Sequence, residues 1–391
     1  FPESHAAAFA QLVYVSSWLK KKHPDAFCCG LLNSQPMGFY APAQIVGDAR
    51  KNGVEVREID VSHSFSQNTL EGRCGEHHVV RLGFRQIDGF KWADPDEEVT
   101  PATNTERLSP PLWGGGKDKA DDWGERIVAA REKRPFTSLE DFARDTKLPK
   151  RALILLADAD AFRSLGLDRR AALWAVRRLP DDEPLPLFEA AIAREQPDEG
   201  AQPLPRMPLP EQVMADYQTV RLSLKGHPMQ FLRDGFSAEG VAACREVSDA
   251  RNGQPIRCAG VVLVRQRPGS ANGVVFMTLE DETGIANIVV WPKVMAQFRK
   301  EVMGARLVLV EGRIQSSPEK VVHLVAERLI DRSYDLVGLA NDALVRKRTL
   351  PTGAVLVEPI NDDRHAHPDI PAQKHRHPRN VRILPPSRDF H

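Results

Sequence analysis

The chain has 391 residues, of which 42% are hydrophobic and 27% charged, and its 53 lysines and arginines balance 53 aspartates and glutamates. This length is enough for two to four domains with hydrophobic cores, and a formal net charge of zero excludes a uniformly basic surface. The sequence shows no apolar run of membrane-spanning length and no signal peptide. Its five cysteines form no metal-ligand spacing, and their odd number favours a reducing, cytoplasmic compartment over a disulfide framework.

The balanced charge hides two basic blocks on either side of an acidic segment. Residues 122–180 hold 13 basic against 9 acidic side chains, residues 257–330 hold 10 against 7, and residues 181–216 hold 2 against 9. This distribution favours contact with a polyanion at two places. The first residue is phenylalanine and the chain opens within a helical pattern, so we expect a piece of a longer protein.

The N-terminal part predicts helices followed by a small β segment. Apolar residues at helical spacing predict a helix over 4–27, which Pro24 interrupts to begin a second short helix. Residues 44–53 predict a helix and residues 54–61 a strand. On chemistry alone, Ser4 and His5 could face a nucleotide or DNA, although a lone histidine near a helix start is more often a cap or surface residue.

The next stretch, residues 80–92, predicts the start of a helix-hairpin-helix motif. Gly83 and Gly89 bracket apolar residues, and such a glycine turn bares backbone N–H groups that can hold a phosphate; Lys91 follows the turn. The second helix is predicted over 123–133, with Arg126 and Arg131 near the DNA backbone. A plain helical bundle is the alternative interpretation.

A second hairpin unit is predicted from residues 136 to 178. Between the two units, residues 93–121 are rich in proline, glycine and acidic residues and predict a disordered insertion that separates the first glycine turn from its helix. Asp158 and Asp160 form an Asp-x-Asp pattern, but within a helix they would point about 200° apart, so we interpret them as structural. The adjacent histidines His77 and His78 are too isolated in the sequence to predict a metal site.

Five short β-runs between residues 257 and 329, separated by turn residues, predict a small closed barrel. A helix-like patch at 294–303 falls between runs three and four, where an OB-fold carries its helix. Such a barrel most often binds single-stranded nucleic acid, whereas the alternative is a barrel that only packs against its neighbours.

Cations and aromatic residues in this barrel predict a nucleic-acid groove. We expect the cations to reach phosphates from strand ends or loops, and the aromatic side chains to stack on bases. For Phe276 a core position is a strong alternative, and for Trp291 the two interpretations are balanced. The candidate DNA-binding residues of the barrel are Arg265, Arg267, Phe276, Trp291, Lys293 and Arg313.

Several long segments resemble the bacterial C-family DNA polymerases, the polymerase III alpha subunit, in its error-prone, damage-induced branch. They are FPESHAAAFAQLVYVSSWLKKKHPDAF, NSQPMGFYAPAQIVGDARKNGVEVREIDV, PFTSLEDFARDTKLPKRALILLADADAFRSLG, LSLKGHP and HPRNVRILPPSRDFH. The resemblance implies an α+β multidomain chain with the helical end of the fingers domain, tandem helix-hairpin-helix motifs and a five-stranded OB barrel. It places Ser4 and His5 on the nucleotide side of the fingers.

The residue patterns and the resemblance together predict six segments, and the insertion at 93–121 departs from the family pattern, in which the first hairpin runs almost directly into the next helix. The segments are 1–80 for the fingers end, 81–180 for the hairpins with the insertion 93–121, 181–212 for an acidic linker, 213–255 for a helical connector, 256–331 for the OB-fold, and 332–391 for an irregular basic tail.

By function, the resemblance implies template-directed DNA synthesis across damage, with deoxynucleoside triphosphates, Mg²⁺, a sliding clamp and damage-tolerance accessory proteins. Its two-metal carboxylates would lie in a palm domain outside this sequence, so we expect no catalytic or metal-binding residues here and a fragment inactive alone. A non-catalytic DNA-binding scaffold of a repair complex is the alternative, and an anticodon-binding module of a synthetase fits the barrel but not the hairpins.

Overall fold

The structure, a computed structural model, describes residues 3–37, 40–92, 122–180, 204–317, 321–340, 345–349, 355–359 and 388–390. The chain divides into two compact units: residues 1–207 with 219–224, and residues 208–218 with 225–391. The predicted insertion at 93–121 and most of the predicted linker, residues 181–203, lie outside the described residues. None of the described helices combines the length and apolar character that a membrane crossing needs.

The first unit begins with three helices and a small sheet and continues with four further helices. The elements are α1 Glu3–Lys22, α2 Pro24–Asn33, α3 Pro42–Lys51, β1 Val56–Arg57, β2 Thr69–Cys74, β3 His77–Arg81, α4 Trp123–Lys133, α5 Leu139–Thr146, α6 Lys150–Asp158 and α7 Arg169–Arg178. The sheet order is β1-β3-β2. The break between α1 and α2 falls at His23, as the proline predicts.

Three of the four hairpin helices, α4, α5 and α7, begin at side-chain caps, whereas α6 begins after Pro149 without one. Asp122 accepts a hydrogen bond from the Glu125 backbone, and Ser138 and Asp168 cap α5 and α7 in the same way. Such caps satisfy backbone donors that a helix start leaves free. They fix where each helix begins and therefore where its side chains point.

One hydrophobic core runs through the first unit from Cys28 to Leu222, with Phe84, Phe142 and Phe162 fully buried. Residues of the predicted fingers end and of the predicted hairpins both contribute to it. The boundary predicted at residue 80 is therefore not a break in packing.

The second unit is a closed barrel preceded by short helices. Its elements are α8 Leu209–Val220, of which the last two residues belong to the first unit, α9 Arg233–Ala238, α10 Cys244–Asp249, β4 Pro255–Gln266, β5 Val275–Glu280, β6 Ile285–Val290, α11 Pro292–Gln297, α12 Arg299–Gly304, β7 Leu307–Ser316, β8 Val322–Asp331 and α13 Ser333–Ala340. The five strands close in the order β4-β5-β6-β8-β7-β4. This confirms the predicted barrel; the single helix predicted at 294–303 is two short ones, divided at Phe298.

Alternating inward residues fill the barrel, with Met277, Leu279, Ile288 and Leu324 almost fully buried. Gly312 lies at a bulge where β7 and β8 come so close that a Cβ would overlap the Val325 carbonyl oxygen. Only glycine fits such an approach without moving the backbone.

The segment predicted to be an irregular tail holds regular elements among its described residues. Besides α13, it contains β9 Val345–Thr349, β10 Val355–Pro359 and β11 Arg388–Phe390. β9 and β10 form an antiparallel pair, and β11 joins the barrel sheet beside β4. Basic and proline-rich composition hid these short strands, because composition reports the average of a segment and not its pairing partners.

Candidate nucleic-acid interface

The outer face of the barrel carries a row of residues that crosses all five strands. The strand registers pair Gln266 with Phe276, Phe276 with Val289, Val289 with Val325, and Val325 with Arg313. Phe276 is 38% exposed, although its strand neighbours on either side are buried. An exposed aromatic ring beside an amide side chain is a surface on which a base can stack.

The next positions along the same face change from apolar to polar. Thr278 pairs with Asn287, and their side-chain oxygens are 3.4 Å apart. Glu280 then pairs with Ile285, which is half exposed. The face therefore runs from an aromatic and amide end to an acidic end, and a polyanion is favoured at the first.

Three further predicted residues gather at the aromatic end. Trp291 is 51% exposed directly before α11, and Lys293 is exposed within the first turn of that helix. A Cβ on Gly273 would lie 3.4 Å from the Arg267 guanidinium and 3.6 Å from the Pro292 ring, so the loop after β4 approaches the start of α11. In the described part of the chain, neither Arg267 nor Lys293 has an ion-pair partner.

Arg313 is exposed at the far end of the row and pairs with a carboxylate. Its Nε lies 3.1 Å from Glu327, and both side chains are 60% exposed. An exposed pair of this kind contributes about 0–1 kcal/mol, so a phosphate can replace the carboxylate at little cost.

Arg265 is placed differently from the sequence expectation. Its side chain is buried and donates to the backbone carbonyls of Val302 and Ala305. The cause is a bulge between Val262 and Val264, after which Arg265 pairs with the core residue Met277 and faces inward. Arg265 therefore holds the end of β4 against α12 and leaves the set of candidate DNA contacts.

At the first hairpin, the two predicted glycines have different surroundings. The Gly83 N–H donates to Asn68 Oδ1 at 2.9 Å, so it is not bared for a phosphate, and a Cβ there would clash with the backbone of Gln67. Gly89 is exposed, with a φ of 78°, and a Cβ there would lie 3.8 Å from the Arg151 guanidinium. The glycine turn and one exposed arginine are therefore neighbours.

Arg151 is a residue that sequence reasoning missed. It lies in the first turn of α6, 62 positions after Gly89, so no local pattern links the two. Lys91, which was predicted, has its ammonium 5.6 Å from the Trp123 ring centre. Both cations flank the turn, which keeps this site as a candidate for one phosphate.

The two arginines predicted on α4 serve the fold. Arg126 donates to the Thr146 and Lys147 carbonyls at the end of α5, with 2.8 Å from its Nη2 to Thr146. Arg131 donates to the Val61 and Ser64 carbonyls and lies over the Phe65 ring at 4.9 Å. These hydrogen bonds stabilise the first unit, so both guanidinium groups have a structural role in the fold.

The remaining positions singled out in the sequence are Ser4 and His5 on α1 and the Asp-x-Asp pattern at Asp158 and Asp160. His5 is exposed on α1 and its ring lies 4.4 Å from that of Phe9, whereas the side chain of Ser4 is outside the described residues. Asp158 ends α6, and Asp160 pairs with Arg163 at 2.7 Å. Among the described residues no three acidic, histidine or cysteine side chains form a metal-binding group, so the residues present do not fit a magnesium site.

Comparison with known families matches two parts of the chain. A model described as an OB-fold nucleic acid binding domain covers residues 256–331, and a helix-hairpin-helix model covers residues 117–172. The second range contains α4, α5 and α6 but not Gly83 or Gly89. Both matches agree with the predicted fold class.

Curated relatives match the entire chain, and three of them, each named Error-prone DNA polymerase, illustrate the range of identity. The protein from Bradyrhizobium diazoefficiens is 72% identical, one from Bradyrhizobium sp. is 70% identical, and one from Brucella abortus is 52% identical. The chain spans 36%, 37% and 32% of their respective lengths, about a third.

A solved structure, asparaginyl-tRNA synthetase from Pyrococcus horikoshii, aligns with 26% of this chain and 30% of its own. Its TM-score is 0.21 and its sequence identity is 23%. A superposition this limited carries no conclusion about this chain.

Proposed function

We propose that this chain positions DNA for a polymerase that copies damaged template. Its full length matches about a third of the length of each error-prone DNA polymerase compared above. The barrel holds the single-stranded template, and the hairpin unit holds the duplex backbone. The observation that carries the proposal is the outer face of the barrel, where Phe276 and Trp291 are exposed. Nearby lie Arg267 and Lys293, which have no ion-pair partner among the described residues.

The chemistry of this face suits a single strand better than a duplex. A single strand offers unstacked bases to Phe276 and Trp291, and each stacked base contributes about 1–3 kcal/mol. Arg267 and Lys293 lie at the same end as Trp291, so one nucleotide can stack while its phosphate meets a cation. The acidic end at Glu280 disfavours extension of the strand in that direction.

For the parent protein we propose DNA-directed DNA synthesis with deoxynucleoside triphosphates and Mg²⁺, in the cytoplasm, with a sliding clamp and damage-tolerance proteins as partners. The names of the relatives support the reaction. We derive no catalytic step from this chain, whose described residues offer no magnesium site. The C-terminal position of the segment within the parent is likewise part of the proposal.

The experiment that tests the proposal is fluorescence anisotropy of labelled oligo-dT at low ionic strength with the whole chain. Phe276→Ala and Lys293→Ala should each weaken binding. The matched controls are Tyr334→Ala, an exposed aromatic residue on α13, and Arg245→Ala, an exposed cation whose backbone lies at the opposite end of the face, bonded to Thr283. Equal losses in the controls, or no loss in any variant, would contradict the proposal.

A primer-extension assay separates the proposed division of labour from a complete enzyme. We expect the chain alone to bind a primed template without extending it. Extension by the purified chain would show that the catalytic groups lie within it and would overturn this part of the proposal.

A further inference from the structure

The strand β4 has an edge that the barrel itself does not cover. β7 pairs with β4 from Pro255 to Val261, and the Val262 N–H still donates to the Arg306 carbonyl. Beyond that point β5 continues along one side of β4 to Gln266, and no other barrel strand in the described chain follows the second side. A strand edge of this kind presents unpaired backbone donors and acceptors.

The short strand β11 occupies this edge. It runs parallel to β4, with Arg388 in register with Val264, Asp389 with Arg265, and Phe390 with Gln266. The same residue Gln266 pairs on its other side with Phe276 of the outer face. β11 therefore extends the sheet by one strand directly beside the candidate nucleic-acid face.

The edge is held in an extended form independently of β11. From inside the barrel, the Arg265 guanidinium donates to the Val302 and Ala305 carbonyls, which fixes this end of β4. Pairing with Thr278, Met277 and Phe276 fixes it from the other side. A preformed edge costs little ordering entropy when a further strand is added.

We propose that the β4 edge at Val264–Gln266 is an acceptor for an extended peptide strand, and that the segment Arg388–Phe390 of the same chain fills it. Recognition uses backbone groups, as in strand addition to an exposed sheet edge. Arg267 directly follows the acceptor, so the added strand also steadies the loop that carries this cation. This last consequence rests on the proposed function, whereas the acceptor itself does not.

The test compares the full chain with one that ends at Ser387, using hydrogen exchange of the amides at 264–266. In a strand, successive N–H groups point to opposite sides, so at least one of these three points away from β5 and towards β11. We expect that amide to exchange at least about tenfold faster after truncation, while the amides of β5 keep their protection. Unchanged protection at 264–266 at every protein concentration would overturn the acceptor.

Adding a strand back makes the test specific. A peptide of residues 380–391 added to the truncated chain should restore slow exchange, and the same peptide with Asp389 and Phe390 replaced by proline should not, because proline has no N–H to donate. Slow exchange of the truncated chain only at high concentration would mean that a second copy fills the edge, which also supports an acceptor. Failure of the unmodified peptide to restore protection would contradict a role for this segment.

The DNA consequence has a separate readout. Truncation should weaken oligo-dT binding in wild-type chain but leave it unchanged in an Arg267→Ala background, because the loop then has no cation to position. Faster exchange with unaltered DNA affinity would keep the acceptor and refute only its link to DNA.

Discussion

Replacing Asp281 should destabilise the barrel more than any other single change to a charged side chain in its neighbourhood. Its carboxylate is fully buried, and its Oδ2 accepts from Arg233 at 2.6 Å and from the Cys244 N–H at 2.7 Å. Its Oδ1 accepts from the Thr283 N–H and hydroxyl and from the Gly284 N–H. The carboxylate therefore joins α9, α10 and the turn between β5 and β6.

The magnitude follows from what Asp281→Ala leaves unpaired. Thr283 and Gly284 are accessible enough to turn to water, but the Cys244 N–H is buried and loses its partner, which costs about 1–3 kcal/mol. Arg233 keeps Glu282 at 2.6 Å but loses its buried partner. Since breaking a buried ion pair costs about 3–5 kcal/mol, we expect a total near the lower end of that range.

The assay is urea unfolding monitored by hydrogen exchange of the core amides of β5 and β6. These amides report on the barrel and not on the first unit. Glu282→Ala is the matched control, because Glu282 also binds Arg233 but is 20% exposed and bonds to no backbone N–H in the described chain. It should cost about 1 kcal/mol or less. A loss below about 1 kcal/mol for Asp281→Ala would refute the reasoning.

Acid provides a second readout of the same group. Burial by itself would raise the pKa of Asp281, but hydrogen bonds from Thr283 and the Cys244 N–H, together with the charge of Arg233, hold it below its usual 3.8. The folded pKa is thus depressed, so this contribution is present above the unfolded pKa and is lost as the pH falls through the folded value. The Asp281→Ala variant should lack that part of the acid transition.

Four further predictions concern other positions. Burial lowers the pKa of His227 from 6.5 to about 4, so the unfolded chain takes up this proton before the folded chain as the pH falls. The free energy of unfolding should therefore decrease by up to about 3 kcal/mol as the pH falls from 6.5 to 4, and His227→Asn, measured by urea unfolding across that range, should flatten the decrease. Gly312→Ala should cost about 3 kcal/mol of barrel stability in the same assay, because its Cβ would overlap the Val325 carbonyl. Arg126→Ala should lower the thermal stability of the first unit without changing affinity for duplex DNA, as filter binding can show. Trp291→Ala should weaken oligo-dT binding roughly 5- to 150-fold if its exposed ring stacks on a base, and unchanged affinity would remove it from the interface.

The sequence predicted the barrel because its signals are local. β5 alternates buried and more exposed positions, whereas β4, β6 and β7 contain runs of consecutive buried residues. Turn residues separate the runs, so Phe276 and Met277 could be assigned to opposite faces in principle. The failure at Arg265 has a physical cause, since one bulge residue between Val262 and Val264 reverses the alternation, and a bulge leaves no distinct mark in composition.

The hairpin unit shows the complementary limit. Arg126 and Arg131 have the charge expected of DNA contacts, but whether a guanidinium is free depends on which carbonyls lie nearby in the fold. Arg151 was missed because Gly89, its neighbour in space, lies 62 positions earlier in the sequence. Long-range proximity, and not residue type, decided these assignments.

The central claim is that the outer face of the barrel binds a single strand through phosphate charge and base stacking, and the salt dependence of oligo-dT binding tests it most directly. Three cations of this face are exposed, Arg267, Lys293 and Arg313. At roughly 0.7 per contact they predict a slope of about −2 for log affinity against log salt. That slope should become shallower by about 0.7 when Lys293 is replaced by alanine. A folded chain that ignores oligo-dT at low ionic strength, or binds it with no dependence on salt, would contradict the claim.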